Sequence, residues 1–295
     1  LNLTGYVEQE PASSEFRRLP HLGSVDELPT LLEDGGIQRV IIAMENRRGR
    51  LPVELLLEAK ARGVIVDDGA QLYEAVAGRV DLNSLHLSML LFSDGFRVSL
   101  PMLLYKRTAS VLLSTAGLVL ALPIMALIAI AIRLDSRGAI IFKQKRLGKD
   151  GRPFTLYKFR SMRNGADTEG RSKPAQHNDG RCTRVGRWLR AVHLDELPQL
   201  LNILRGDMHF IGPRPFAVDM EEELARKIPF YSKRWTVKPG ATGWAQVRRG
   251  YNETHEDNLQ KLGYDLYYIK NLSVGLDFLI CLETVKILLL GRGGR

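Results

Sequence analysis

The chain has 295 residues, a formal net charge of +9 and two cysteines. That length allows about two domains with real cores and needs no disulfide or metal staple. The isolated Cys182 and Cys281 exclude a disulfide framework or zinc ribbon, and the sequence has no G-x-x-x-x-G-K-[ST] loop, G-x-S-x-G elbow, H-E-x-x-H spacing or D-x-D pair.

Charge divides the chain. Residues 1–100 carry 10 Lys and Arg against 15 Asp and Glu, a net −5; residues 101–295 carry 32 against 18, a net +14. A mildly acidic first third joined to a basic remainder predicts two units with different partners. The basic part could face nucleic acid, anionic lipid or a phosphorylated substrate, or simply be a solvated surface. No base-stacking motif or recognition-helix pattern is evident, so nucleic acid is not expected as a partner. The chain opens on Leu1 without a signal-peptide pattern and is expected to lack its natural N-terminus.

The first hundred residues read as α/β. Ser24 with Glu27 at capping-box spacing predicts a helix start. Ile37–Ala43 is a short apolar, β-branched run that reads as a buried strand. Leu51–Arg62 reads as a second helix and Gly63–Val66 as a second strand. This rhythm predicts a small parallel sheet. Gly5 alone is no phosphate-loop fingerprint, which favours a structural or regulatory Rossmann-like domain over a working nucleotide site.

Val111–Ile132 is 22 residues without a charge. As one helix it would measure about 33 Å, enough to cross a bilayer core of ~30 Å. Pro123 lies mid-segment, removes one backbone hydrogen bond, clashes with the Val119 carbonyl and is expected to push Leu122 out of helical geometry. The two halves would reach only about 18 and 14 Å. Both flanks are basic: Lys106 and Arg107 before, Arg133, Arg137, Lys143, Lys145 and Arg146 after. Positive flanks favour the cytoplasmic side at both ends, so a helix that enters, bends at Pro123 and returns is the expectation; a kinked spanning helix is the alternative.

The motif-rich core follows. Lys158 and Arg160, two apart on a strand, would share one face and could clamp a phosphate, or could line an ordinary solvated face. Leu197, Leu200, Leu201 and Leu204 follow helical spacing; Pro198 fits only the first turn, which puts Asp195 at or next to the N-cap, and Gly206 ends the helix. Adjacent carboxylates there are often mere caps, but Arg and Lys surround this pair in sequence, and Asp195 is expected to be held ionised. Pro213 and Pro215 fix the backbone around Arg214, which suits either a diphosphate or an exposed turn. Leu276–Leu290, at about 22 Å, is short for a span and reads as an interfacial or core helix.

Lys158-Phe-Arg-Ser-Met162, Asp195-Glu-Leu-Pro-Gln199, Gly212-Pro-Arg-Pro215, Lys238-Pro-Gly-Ala-Thr-Gly-Trp-Ala-Gln246 and Tyr264-Asp-Leu-Tyr-Tyr-Ile-Lys-Asn271 run in order after a Pro-broken apolar segment. Together they resemble the bacterial sugar transferases of the monotopic phosphoglycosyl transferase type. Phe92-Ser-Asp-Gly-Phe96 resembles the junction of an exopolysaccharide subgroup, and Leu122-Pro123 stands where Ser-Pro is often found. The resemblance implies an α/β Rossmann-like regulatory domain over 1–92, a linker over 93–104, and a mainly helical, α+β membrane-associated catalytic domain over 105–295 with a re-entrant hairpin at 111–132, broken at Pro123. It implies transfer of a sugar-1-phosphate from a UDP-sugar to polyprenyl (undecaprenyl) phosphate with release of UMP. Asp195 would be the covalent nucleophile and Glu196 a base or second metal ligand, with Mg²⁺ held by Asp195 and Glu196. Lys158, Arg160, Arg214 and Gln246 would bind substrate. It further implies contact with membrane lipid at the bacterial cytoplasmic membrane, with the catalytic domain on the cytoplasmic face, and leaves room for a homo-oligomer. The competing reading is a non-catalytic membrane-surface scaffold in polysaccharide export.

Overall fold

A computed structural model describes residues 2–8, 19–33, 36–44, 47, 50–82, 96, 98–163, 165, 179–248 and 254–290. The chain divides into two compact units, Leu1–Ser84 and Leu85–Arg295. The domain boundary expected at 92–93 and most of the Phe92–Phe96 motif lie outside the described residues.

The first unit holds two parallel strand pairs. Strand β1 (Tyr6–Glu8) pairs with β2 (His21–Ser24). Ser24 then caps a 3₁₀ turn: its hydroxyl accepts from the Asp26 N–H, and the capping box with Glu27 forms as its spacing predicts. Helix α1 (Leu28–Glu33) follows. Strand β3 (Arg39–Ile42) pairs in parallel with β4 (Ile65–Asp68), with Arg39 opposite Ile65, and α2 (Val53–Ala61) joins them. Asp68 caps α3 (Gly69–Ala77) by accepting from the Ala70 N–H. Among the described residues the strands form two separate pairs rather than one parallel sheet.

The second unit is mostly helical with small sheets. Helix α4 runs unbroken from Leu100 to Asp135, with Pro123 inside it. The departure from helical geometry expected at Leu122 is not found. Proline deletes only the bond to the Val119 carbonyl, and the ladder on either side continues. Among the described residues this is the one helix long and apolar enough to cross a membrane. Yet side chains near both of its ends are tied to the same unit. Lys106 pairs with the Asp277 carboxylate at 2.9 Å, and Arg107 donates to the carbonyls of Ile203 and Leu204, each at 2.7 Å. At the other end Ile128 and Ile132 enter a core with Phe159 and Leu189. Between them Val119, Leu120, Leu122 and Leu127 are exposed.

Strands β5 (Ile141–Leu147) and β6 (Pro153–Phe159) form an antiparallel hairpin. Helix α5 (Arg184–Ala191) leads to a 3₁₀ turn at Leu194–Glu196 and then α6 (Gln199–Arg205). Pro198 stands at the entry of α6 and Gly206 ends it with φ +89°, as read from the sequence. The buried face of α6 is not the predicted leucine stripe alone. Ile203 and Asn202 are fully buried, while Leu201 is 38% exposed. Asn202 is inside because it mimics a strand: its amide donates to the Thr155 carbonyl at 2.7 Å, and its oxygen accepts from the Tyr157 N–H at 3.0 Å. Ile203 joins Leu156 and Met208 in a core cluster, where each buried aliphatic side chain contributes about 1.5–3 kcal/mol.

Strand β7 (His209–Ile211) pairs in parallel with β8 (Gly240–Thr242). Glycine is required at this crossing: a Cβ on Gly240 would lie 2.1 Å from the Gly212 nitrogen. Helices α7 (Val218–Lys227), α8 (Trp244–Arg248), α9 (His255–Lys270) and α10 (Val274–Leu289) complete the unit. Ile211, Trp244, Tyr268, Ile269 and Ile280 form one of its core clusters. Helix α10 covers the segment expected at Leu276–Leu290; Ile280 is buried, while Phe278, Leu282 and Val285 are exposed.

Candidate active site

The Asp195-Glu196 pair lies in the 3₁₀ turn between α5 and α6. His193 opens this turn at φ 58°, a left-handed conformation that reverses the chain out of α5. The two neighbouring carboxylates have opposite surroundings. Glu196 is held by two cations: Lys158 Nζ donates to Oε1 at 2.7 Å, and Arg214 donates to Oε1 at 2.5 Å and to Oε2 at 3.3 Å. Burial pushes Glu196 up, but Arg214 and Lys158 outweigh it and hold its carboxyl well below the usual range. Asp195 is buried as well, yet no hydrogen bond to its carboxylate is found among the described residues. Burial raises its pKa, and Lys158 only partly opposes this while Glu196 adds to it. Burial thus opposes the negative charge of Asp195, while Lys158, Arg190 and Arg214 favour it.

The cations crowd one another. Burial lowers Lys158, Glu196 offsets part of that, and Arg214 lowers it further. Arg146, on β5, donates to the Pro215 carbonyl at 3.1 Å and to Gln144 at 2.5 Å; burial and then Arg214 push it down to about 10. Arg190, at the end of α5, acts on Asp195 in the same sense as Lys158. Lys158, Arg146, Arg190 and Arg214 thus gather positive charge around two carboxylates, an arrangement that suits a polyanionic ligand such as a diphosphate. Sequence reasoning missed Arg146 and Arg190. Arg190 lies five residues before Asp195, a spacing legible once the intervening turn is known.

The other candidates sit elsewhere. The expected shared face of Lys158 and Arg160 is not realised, because β6 ends at Phe159 and strand alternation stops there. Arg160 turns to the end of α4, donating to the carbonyls of Ser136 at 2.7 Å and Arg137 at 3.2 Å and to the Ser136 hydroxyl at 2.9 Å. It caps a helix C-terminus, where cations are favoured. Gln246, in α8, donates to the Ala241 carbonyl at 3.2 Å, and its buried Oε1 has no partner among the described residues. Pro123 lies within α4.

Among the described residues there is no group of three or more metal-ligating side chains. Mg²⁺ needs fewer: it keeps waters and takes one or two carboxylates plus substrate phosphate oxygens. Asp195, whose carboxylate has no hydrogen bond among the described residues, fits that demand; Glu196 is already occupied by Lys158 and Arg214.

Among the described residues, a buried carboxylate with no hydrogen bond thus stands beside one held by two cations. A family model for "Bacterial sugar transferase" matches residues 102–291, most of the chain, and the chain belongs to this family. It is 41% identical over 226 residues to the UDP-N-acetylgalactosamine-undecaprenyl-phosphate N-acetylgalactosaminephosphotransferase of Aeromonas hydrophila, covering 76% of this chain and 52% of that protein. It is 43% identical over 184 residues to the UDP-glucose:undecaprenyl-phosphate glucose-1-phosphate transferase of Escherichia coli K12, covering 62% and 39%. A transferase of the same name from Xanthomonas campestris is 34% identical across 98% of this chain and 61% of its own length. The chain spans about half the length of the curated relatives it matches.

Proposed function

We propose that this chain carries the catalytic part of a phosphoglycosyl transferase that moves a sugar-1-phosphate from a UDP-sugar to polyprenyl phosphate and releases UMP. The reading is supported by the names of relatives over 40% identical and, above all, by one feature of the site: among the described residues the buried Asp195 carboxylate has no hydrogen bond, while its neighbour is held by two cations. An Asp195 oxygen attacks the β-phosphorus of the UDP-sugar. The bond from that phosphorus to the bridging oxygen breaks, and UMP leaves with the electron pair. The resulting acyl phosphate carries the sugar; a polyprenyl phosphate oxygen then attacks the same phosphorus, and Asp195 departs as a carboxylate.

Lys158 and Arg214 neutralise charge on the diphosphate, Arg214 through its planar fork, and Arg146 and Arg190 supply further positive potential. Glu196 orients Lys158 and Arg214. A Mg²⁺ ion held by Asp195 and phosphate oxygens would supply charge neutralisation at the leaving phosphate. Asp195 must be ionised to attack, and Lys158 and Arg190 are placed to favour that state once ligand expels water.

The first unit is read as a Rossmann-like regulatory domain, supported by the parallel β3–β4 pair and the helix between them. Both flanks of α4 are read as lying on the cytoplasmic side. A helix whose Lys106 and Ile132 both pack into one unit does not leave that unit on two sides of a bilayer, and both flanks are basic. The test of the activity is UMP release from UDP-glucose and UDP-N-acetylgalactosamine, with and without undecaprenyl phosphate. Turnover only in the presence of the lipid phosphate supports the reading. No UMP release from any of a wider panel of UDP-sugars, by a folded protein, returns the scaffold reading.

A further inference from the structure

The Pro213-Arg214-Pro215 turn has an unusual hydrogen-bond problem. Two of its three residues have no N–H, so its carbonyls are its main backbone handles. Each carbonyl is taken by a donor from a different part of the unit. The Gly240 N–H donates to Pro213 at 3.0 Å, Arg146 to Pro215 at 3.1 Å, and Arg234 Nη2 to Arg214 itself at 2.8 Å. Arg234 lies in a 3₁₀ turn spanning Tyr231–Thr236 and is buried. Its remaining donors are fixed: Nε donates to Asp265 at 2.8 Å, and Nη1 to Glu221 at 3.1 Å and to the Tyr231 hydroxyl at 2.6 Å. Glu221 is tied in turn to Trp235 Nε1 at 2.9 Å and to the Phe216 N–H at 3.0 Å, one residue beyond the turn. The guanidinium also lies over the rings of Phe216 and Tyr231.

A buried cation held by two buried carboxylates would be costly as a mere filler, since an apolar group of similar volume often serves stability as well. What an apolar group cannot do is donate to the Arg214 carbonyl. We propose that Arg234 is a positioning residue: anchored by Glu221 and Asp265, it fixes the backbone of Arg214 so that the Arg214 fork meets Glu196 and the substrate phosphate. This rests on the reading of Arg214 as part of the site. Lysine at 234 keeps the charge but has a single nitrogen. Its three donors share that one nitrogen, which cannot span Glu221, Asp265 and the Arg214 carbonyl as the planar guanidinium does.

The test is a double-mutant cycle on the full chain in detergent. It measures kcat/KM for UMP release from UDP-glucose and UDP-N-acetylgalactosamine with undecaprenyl phosphate, alongside thermal unfolding of each variant. The variants are Arg234→Lys, Arg214→Ala and the pair. A displacement near 1 Å costs on the order of 10²-fold, so Arg234→Lys alone should lose about 10- to 100-fold. In the Arg214→Ala background, where no fork remains to position, the same change should lose less than about 2-fold. Asp265→Asn loosens the anchor while leaving Arg234 in place, and should show a smaller loss with the same dependence on Arg214. Equal losses in both backgrounds, or full activity of Arg234→Lys, overturn the positioning role. Full activity of Arg214→Ala would instead overturn the placement of Arg214 in the site. If neither Arg234→Lys nor Asp265→Asn folds, the network is a folding element and the positioning role is rejected.

Discussion

The two units handle charge in opposite ways. In Leu1–Ser84 the ion pairs lie at the surface: Arg39–Asp67 at 3.2 Å, Arg47–Asp68 at 2.5 Å and Arg62–Glu58 at 2.7 Å, all with substantial exposure. Among the described residues every buried polar or charged side chain, from Lys106 to Asp277, belongs to the second unit. Surface pairs contribute little and tolerate change. Buried charge is expensive and persists where each group has a partner or a task. Arg234 has partners; among the described residues Asp195 is the buried acid for which no hydrogen bond is found, which is why the chemistry is assigned to it.

The contrast breaks most sharply at Asp195. Asp195→Asn should cost at least about 10³-fold in UMP release, because an amide cannot form the acyl phosphate. Thermal unfolding should be unchanged or slightly raised, since the substitution removes a buried charge without a hydrogen bond. Retained turnover, or a collapsed fold, would move Asp195 from the chemistry to the scaffold. Arg214→Lys comes next. It keeps the charge but loses the fork, and kcat/KM should fall about 10²-fold. Wild-type kinetics there would place the side chain outside the site.

The third test concerns stability. His209 is buried on β7, its Nδ1 3.3 Å from the Ser110 hydroxyl of α4. Burial, with Lys106, Lys238, Arg107 and Lys149 nearby, pushes its pKa down to about 3. Its folded pKa lies below the ordinary value near 6.5, so the unfolded chain binds the extra proton and stability falls as pH drops from about 6.5 toward 3. The slope from this group approaches about 1.4 kcal/mol per pH unit, and His209→Gln should flatten the urea-unfolding profile between pH 6.5 and 5. An unchanged slope would mean that the native state accepts the proton. The smallest effect belongs to the first unit. Arg39→Ala should shift stability by less than about 0.5 kcal/mol and leave UMP release intact. A large loss of activity there would give the first unit a direct role in turnover.

Local signals were legible in the sequence. The Ser24–Glu27 capping box, the strand at Arg39–Ile42, Pro198 at the entry of α6 and Gly206 at its exit all form where residue chemistry put them. The sequence also singled out Lys158, Glu196 and Arg214, which the fold joins into one ion-pair cluster. What it did not show depends on long-range contact. Arg160 is one residue past its strand and meets the end of a helix some two dozen residues earlier. Asn202 is buried because it completes the edge of a strand far back in the chain. Arg234, Glu221 and Asp265 come from three elements with no shared motif. The proline at 123 carried a real constraint on its own hydrogen bond, but neighbouring helix turns kept α4 continuous.

The difference between Asp195 and Glu196 is read most directly by intact-mass analysis of the protein incubated with UDP-sugar alone, without lipid acceptor. One added phosphosugar is expected on the wild-type chain. The adduct should be absent from Asp195→Asn, retained in some measure by Glu196→Gln, and discharged when undecaprenyl phosphate is added. An adduct that persists in Asp195→Asn, or UMP released with no adduct at any time of sampling, would contradict it.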